Sequence, residues 1–139
     1  MPALIVGIGN PLKRDDDIGN IVANRLVGFN AVSAEATPES FISEMRKHRK
    51  IVFVDAVEFG EKTGSVRLFR LRDLKEFPAG THSIPLETLK KTLPRGTSVF
   101  VIGVQPKDVD YGAGLTEDMK KELDSVISRV KELLHEVGA

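Results

Sequence analysis

Three residues of reactive type stand where separate elements begin or end: Asp16, Asp55 and His82. Asp16 lies in the loop GIGNPLKRDDDIG, just after an apolar run. Asp55 closes a second apolar run, IVFV, and His82 precedes a helical segment. Two carboxylates and an imidazole that converge on an open point form a site for a divalent cation. Each also has an ordinary use. Asp16 suits a helix cap, a role for which Asp15 competes. An Asp after a strand suits a turn, and a His before a helix suits a solvated or capping position. Convergence of the three is what favours chemistry, and it depends on the elements that carry them.

Those elements alternate. Ala3 to Val6 reads as a buried strand, and a helix with apolar positions Ile18, Ile21, Val22 and Leu26 starts near Asp15 or Asp16. A second strand is expected over 31–36 and a helix over 39–47. Ile51 to Val54 is the third strand, ending directly in Asp55. Ser65 to Leu71 is an outer strand with one wetter face. A helix near 85–92, the very apolar strand Thr97 to Val104 and a long amphipathic helix capped by Thr116 complete the chain. Alternation of this kind predicts an α/β fold with a largely parallel sheet covered on both faces. The segment from Glu58 to Gly64 is too short for a crossover helix, so the fourth strand is expected to run antiparallel to the third.

In such a sheet, with the second strand outside the first, strands one and three are neighbours at the topological switch point. Ligands bind there, at the carboxyl ends of the strands. Asp16 and Asp55 are thereby expected at one rim, solvent-reachable at Asp16 and His82. The antiparallel fourth strand leaves that rim, and residues 72–82 must return to it, which brings His82 to the same place. His48 and His135 lie in charged helical surroundings and are expected at the surface.

Other chemistry is disfavoured. With no cysteine, there can be no disulfide, thiol nucleophile or Cys-type zinc site. There is no G-x-S-x-G, H-E-x-x-H or P-loop, and no serine lies in a nucleophile setting. GIGNPL supplies Gly7 and Gly9 of a dinucleotide fingerprint, but Leu12 replaces its third glycine and Pro11 removes a backbone donor where phosphate would need one. The glycines then serve a tight turn or a close backbone approach. Twenty basic residues balance twenty acidic ones, which gives no reason to expect nucleic acid or anionic membrane as a partner. No apolar stretch approaches the roughly 20 residues that span a bilayer, and MPALIVGIGN lacks the basic start of a signal peptide, so a cytoplasmic protein is expected. The 139 residues suit one domain, 1–139.

GIGNPLKRDD, FVDA, THSIPL and GVQP with GLT, in that order over nearly the whole chain, resemble the hydrogenase maturation endopeptidases. The resemblance is nearest to members serving formate-hydrogenlyase and related energy-converting hydrogenases. It implies a three-layer α/β/α sandwich, phosphorylase/hydrolase-like, with five strands ordered 2-1-3-5-4 and strand four antiparallel. It implies an endopeptidase that removes the C-terminal extension of a nickel–iron hydrogenase large-subunit precursor after nickel insertion. On this reading the enzyme is a monomer that recognises the bound nickel through Asp16, Asp55 and His82. The nickel travels with the precursor, and no tightly bound cofactor is expected in the free enzyme. Gly9, Asn10 and Thr81 become candidates for contact with the substrate. The pattern is departed from at Asp17, where many members have Gly, and at EATPE, where many have a glycine-rich turn. The rival classes are a nickel-sensing assembly chaperone without cleavage and a small nucleotide-binding oxidoreductase.

Overall fold

The computed structural model describes residues 3–76 and 85–139. Strand β1 is Leu4–Gly7, β2 is Ala31–Ser33, β3 is Lys50–Ala56, β4 is Val66–Arg70 and β5 is Ser98–Val104. They form one sheet in the order β2-β1-β3-β5-β4. β1, β2, β3 and β5 are mutually parallel, and β4 runs antiparallel along β5. β1 and β3 are therefore adjacent, as the switch-point argument requires.

Helices cover both faces. α1 (Ile18–Asn24) and α4 (Glu117–Glu136) lie on one side, where Ile18, Val22, Met119, Val126, Val130 and Leu134 are buried against Ile5, Val52, Val54 and Ile102. On the other side α2 (Ile42–Met45) and α3 (Leu86–Lys90) bring Met45, Leu86 and Leu89 onto Leu4, Val6, Phe53 and Val101. Strands buried on both faces need apolar residues at every position, which is why β1, β3 and β5 read as continuous runs rather than alternations. Thr116 caps α4 as expected, its hydroxyl accepting from the Met119 amide at 3.2 Å. Among the described residues, no helix is long and apolar enough to cross a membrane.

Three expectations need correction. Residues 39–47 do not form one helix. Pro38–Phe41 makes a 3₁₀ turn and α2 is a single turn, because Pro38 fixes the start but only Phe41, Ile42 and Met45 reach the core. Asp55 does not follow β3 but lies inside it, opposite Gly103 of β5, because the β3–β5 ladder continues to Ala56 and Val104. β4 is the outer strand expected, with Arg67 and Arg70 exposed. Phe69 is buried edge-on to Phe59 at 5.7 Å, while Val66 and Leu68 pack toward the α4 side. His48 is buried, its Nε2 3.3 Å from Glu44 Oε1, whereas His135 is exposed as expected and lies against Phe29.

Candidate active site

Asp16 and Asp55 meet at the carboxyl ends of β1 and β3. Asp16 comes from the last turn before α1, a 3₁₀ turn over Arg14–Asp17. Its Oδ2 accepts from the Asn10 amide at 2.7 Å, so the loop folds back on the carboxylate. Asp55 is held by the sheet ladder on β5. Asp16, expected at a solvent-reachable rim, is buried at 2% exposure, and Asp55 beside it at 3%. The reason for Asp16 is the fold-back of residues 9–10, and for Asp55 its place inside the ladder.

Burial pushes the Asp55 carboxyl well above the ordinary range, and the neighbouring Asp16 charge pushes it further, against a hydrogen bond with the Ala56 backbone that pulls it down. A buried acid whose ionisation is opposed by both burial and a neighbouring carboxylate is a candidate for function. Asp17 is also raised, first by burial, with Glu35 and Asp16 adding to it and the Asn20 hydrogen bond opposing. The rim between β1, β2 and β3 is thus acidic.

Two glycines make this arrangement possible. A side chain at Gly9 would put its Cβ 1.8 Å from the Asp16 carbonyl oxygen, and Gly9 holds φ at +149°. One at Gly19 would meet the Val54 and Ile8 carbonyl oxygens at 2.1 and 2.4 Å. The chain therefore spends its glycines on bringing the Asp16 turn and α1 onto β1 and β3, not on a phosphate cradle. This is the close backbone approach expected of these glycines in place of a dinucleotide fingerprint.

The three adjacent acids have separate fates. Asp15, wholly buried, does not cap its own helix. Its Oδ1 accepts from the Thr116 amide at 2.8 Å, and its Oδ2 accepts from the Thr116 hydroxyl at 2.8 Å and the Lys107 amide at 2.9 Å. It ties the turn to the start of α4. Asp17 accepts from Asn20 Nδ2 at 2.7 Å. The N-cap positions of the 3₁₀ turn and of α1 fall to Lys13 and Asp17 rather than to Asp16. An Asp15→Asn variant is expected to lose about 2–3 kcal/mol of stability, because the amide would set an NH₂ against donors already aimed at a carboxylate. Urea unfolding followed by circular dichroism measures it.

Reading by sequence missed Asn20 and Gln105. Buried Asn20 donates to the Gly9 carbonyl at 2.9 Å and accepts from the Ser33 hydroxyl and Glu35 amide at 2.8 and 3.0 Å. It joins the loop after β1 to the end of β2. Gln105 Oε1 accepts from the Phe59 amide at 2.8 Å and fixes the turn after β3. The one usable signal was a polar residue on the inner face of α1, four places after Asp16. His82 and Thr81 lie outside the described residues. Among the described residues no group of three or more His or acidic side chains is placed to hold a metal.

A family model described as hydrogenase maturation protease matches residues 29–133. The match takes in Asp55 and His82 and begins after Asp16. A putative hydrogenase maturation protease of Methanocaldococcus jannaschii is 31% identical, over 89% of this chain and 90% of that protein. The hydrogenase 3 maturation protease of Escherichia coli is 26% identical, over 94% and 90%. The crystal structure of a NiFe hydrogenase maturation protease from Thermococcus kodakarensis superposes with a TM-score of 0.75 at 27% identity, covering 96% of this chain and 92% of that one.

Proposed function

This chain belongs to the hydrogenase maturation protease family, and from that premise we propose that it removes the C-terminal extension of a nickel–iron hydrogenase large-subunit precursor once nickel is in place. The family makes it a hydrolase, a processing endopeptidase of hydrogenase. The finer reading concerns what it cuts and what licenses the cut. The nickel is part of the substrate, bound by the precursor and presented to Asp16, Asp55 and His82. The precursor served belongs to the formate-hydrogenlyase or energy-converting type, the enzyme works as a cytoplasmic monomer, and residues 1–139 act as one domain. Gly9, Asn10 and Thr81 lie along the path of the substrate.

The observation that supports this most is the pair of buried carboxylates at the β1–β3 switch point, where burial and the Asp16 charge raise the cost of ionising Asp55. A divalent cation arriving with the substrate relieves that cost at once. It favours the ionised form of both acids, and Asp55 gives up its proton as the cation seats. A precursor without metal offers no such gain, so the pair discriminates loaded from unloaded substrate by charge. Oxygen donors do not select nickel over neighbouring metals by affinity. On this reading selectivity lies in what the precursor has bound. The cation also polarises groups near it, which is the chemistry it supplies to hydrolysis.

The test is a purified assay of tail release from nickel-loaded and nickel-free precursor, with wild type and His82→Ala. Release from the loaded precursor only, lost in His82→Ala at unchanged melting temperature, is the expected result. Equal release from both precursors would remove the nickel checkpoint. No release by wild type, with binding intact, would leave an assembly chaperone.

A further inference from the structure

Exposed large apolar side chains are not scattered evenly over this protein. Among the described residues they are Leu12 at 67%, Tyr111 at 70%, Val109 at 39% and, well apart in the turn after α1, Val27 at 86%. The first three come from two loops that are fastened together. Lys13 and Gly112 form a parallel bridge, the Gly112 amide donates to the Leu12 carbonyl at 3.0 Å, and Arg14 pairs with Asp108. The Lys13 ammonium sits 4.7 Å over the Tyr111 ring. Leu12 is itself set by an Asx turn, its amide donating to Asn10 Oδ1 at 2.9 Å. A loop pinned at so many points does not leave two-thirds of a Leu and a Tyr in water for want of a place to bury them.

The fastening leads directly to the site. The Asp16 amide donates to the Lys13 carbonyl at 2.9 Å, and the Asp15 amide donates to the Asp108 carbonyl at 3.1 Å. The same Asp15 carboxylate holds the Lys107 amide. The apolar patch and the Asp16 carboxylate therefore belong to one rigid piece, and whatever seats on Leu12, Val109 and Tyr111 is held at a fixed place relative to Asp16.

We propose that Leu12, Val109 and Tyr111 form the docking face for an apolar segment of the hydrogenase precursor and set the affinity for it. This rests on the reading of the chain as a processing endopeptidase of hydrogenase. Three side chains offer far less than the roughly 800 Å² per partner that a stable dimer buries, which argues against a second copy as occupant. Continuity with the site argues for the substrate, since a segment lying on this patch runs past Asp16. Rigid aromatic anchors in a small cluster carry most of the energy of such contacts. The patch acts on binding and leaves the reacting groups alone.

The experiment uses full-length nickel-loaded precursor and compares wild type with Leu12→Ser, Tyr111→Ser, the double variant and Val27→Ser. All three positions are exposed, and melting temperatures serve as the folding control. The expected result is a rise in KM of about tenfold for Tyr111→Ser and more for the double variant. Expected values of kcat lie within about twofold of wild type, with Val27→Ser indistinguishable from it. A double variant with the KM of wild type overturns the proposal while leaving the endopeptidase reading intact. So does a fall in kcat at unchanged KM, which would place the patch in the chemistry or its support. A wild-type dimer in sedimentation that the double variant abolishes would give the patch to a second copy instead. Absence of cleavage by wild type sinks the endopeptidase reading, and this proposal with it.

Discussion

Asp55→Asn is expected to abolish tail release and, at neutral pH, to raise the melting temperature. The two effects have one cause. Burial and the Asp16 charge lift the Asp55 carboxyl in the folded chain, while the unfolded chain leaves it near its ordinary value of 3.8. Above that value the unfolded state sheds the proton more readily than the folded one, so stability falls as pH rises through the folded pKa. Below the unfolded value both states are protonated and the penalty vanishes. Asn has nearly the shape of a protonated Asp and no charge to desolvate. The variant is therefore expected to gain about 2–5 °C near pH 7, in the range usual for relieving a destabilised functional site. The gain shrinks as pH is lowered and disappears near pH 4. Differential scanning calorimetry from pH 4 to 8 reads both the gain and its slope. A variant less stable than wild type throughout would mean the carboxylate is a structural acceptor and not a site residue.

That acid could be located by sequence because it ends a run that only a doubly covered parallel strand explains. IVFV is apolar at every position, and Asp55 interrupts it. Alternation gave the α/β class, the resemblance to the family gave the order of the strands, and the short Glu58–Gly64 connection gave the antiparallel direction of β4. What could not be read was the use made of polar residues whose partners are distant in sequence. Asp15 finds Thr116 across 101 residues and Gln105 finds Phe59 across 46, and no local spacing marks either pair. The run Asp15-Asp16-Asp17 looked uniform. Tight 3₁₀ geometry points its members in different directions, toward α4, the β1–β3 rim and Asn20 respectively. Burial of the acids was misjudged for the same reason. A loop that closes over a carboxylate through one backbone amide, as Asn10 does with Asp16, leaves no compositional trace. The departures from the family pattern also take on a physical form. Asp17 and Glu35 raise the acidity of the rim together, and Glu35 adopts φ of +53°, where a glycine would sit without strain.

Asp16→Asn should separate position from charge more sharply than any truncation. The Asn10 amide needs an acceptor at residue 16, and an Asn side-chain oxygen supplies one, so the fold-back of the loop survives. Gly9 still packs on the residue 16 carbonyl, since the backbone is unaltered. No helix loses a cap, because Asn caps about as well as Asp. What is lost is one negative charge beside Asp55. The Asp55 carboxyl is then expected to ionise more easily, since one of the two causes that hold it up is gone. The variant should melt at or above the wild-type temperature near pH 7. Tail release from nickel-loaded precursor should nonetheless fall by at least about a hundredfold, a loss of the size seen when one preorganised electrostatic contact is removed from a site. The amide is a poor ligand for a divalent ion and leaves a single carboxylate to meet it. Single-turnover cleavage at saturating precursor, with calorimetry on the same sample, measures both. Cleavage within a few-fold of wild type would remove Asp16 from the site. The half-buried Asp17, already raised by its neighbours, would then be the acid to test.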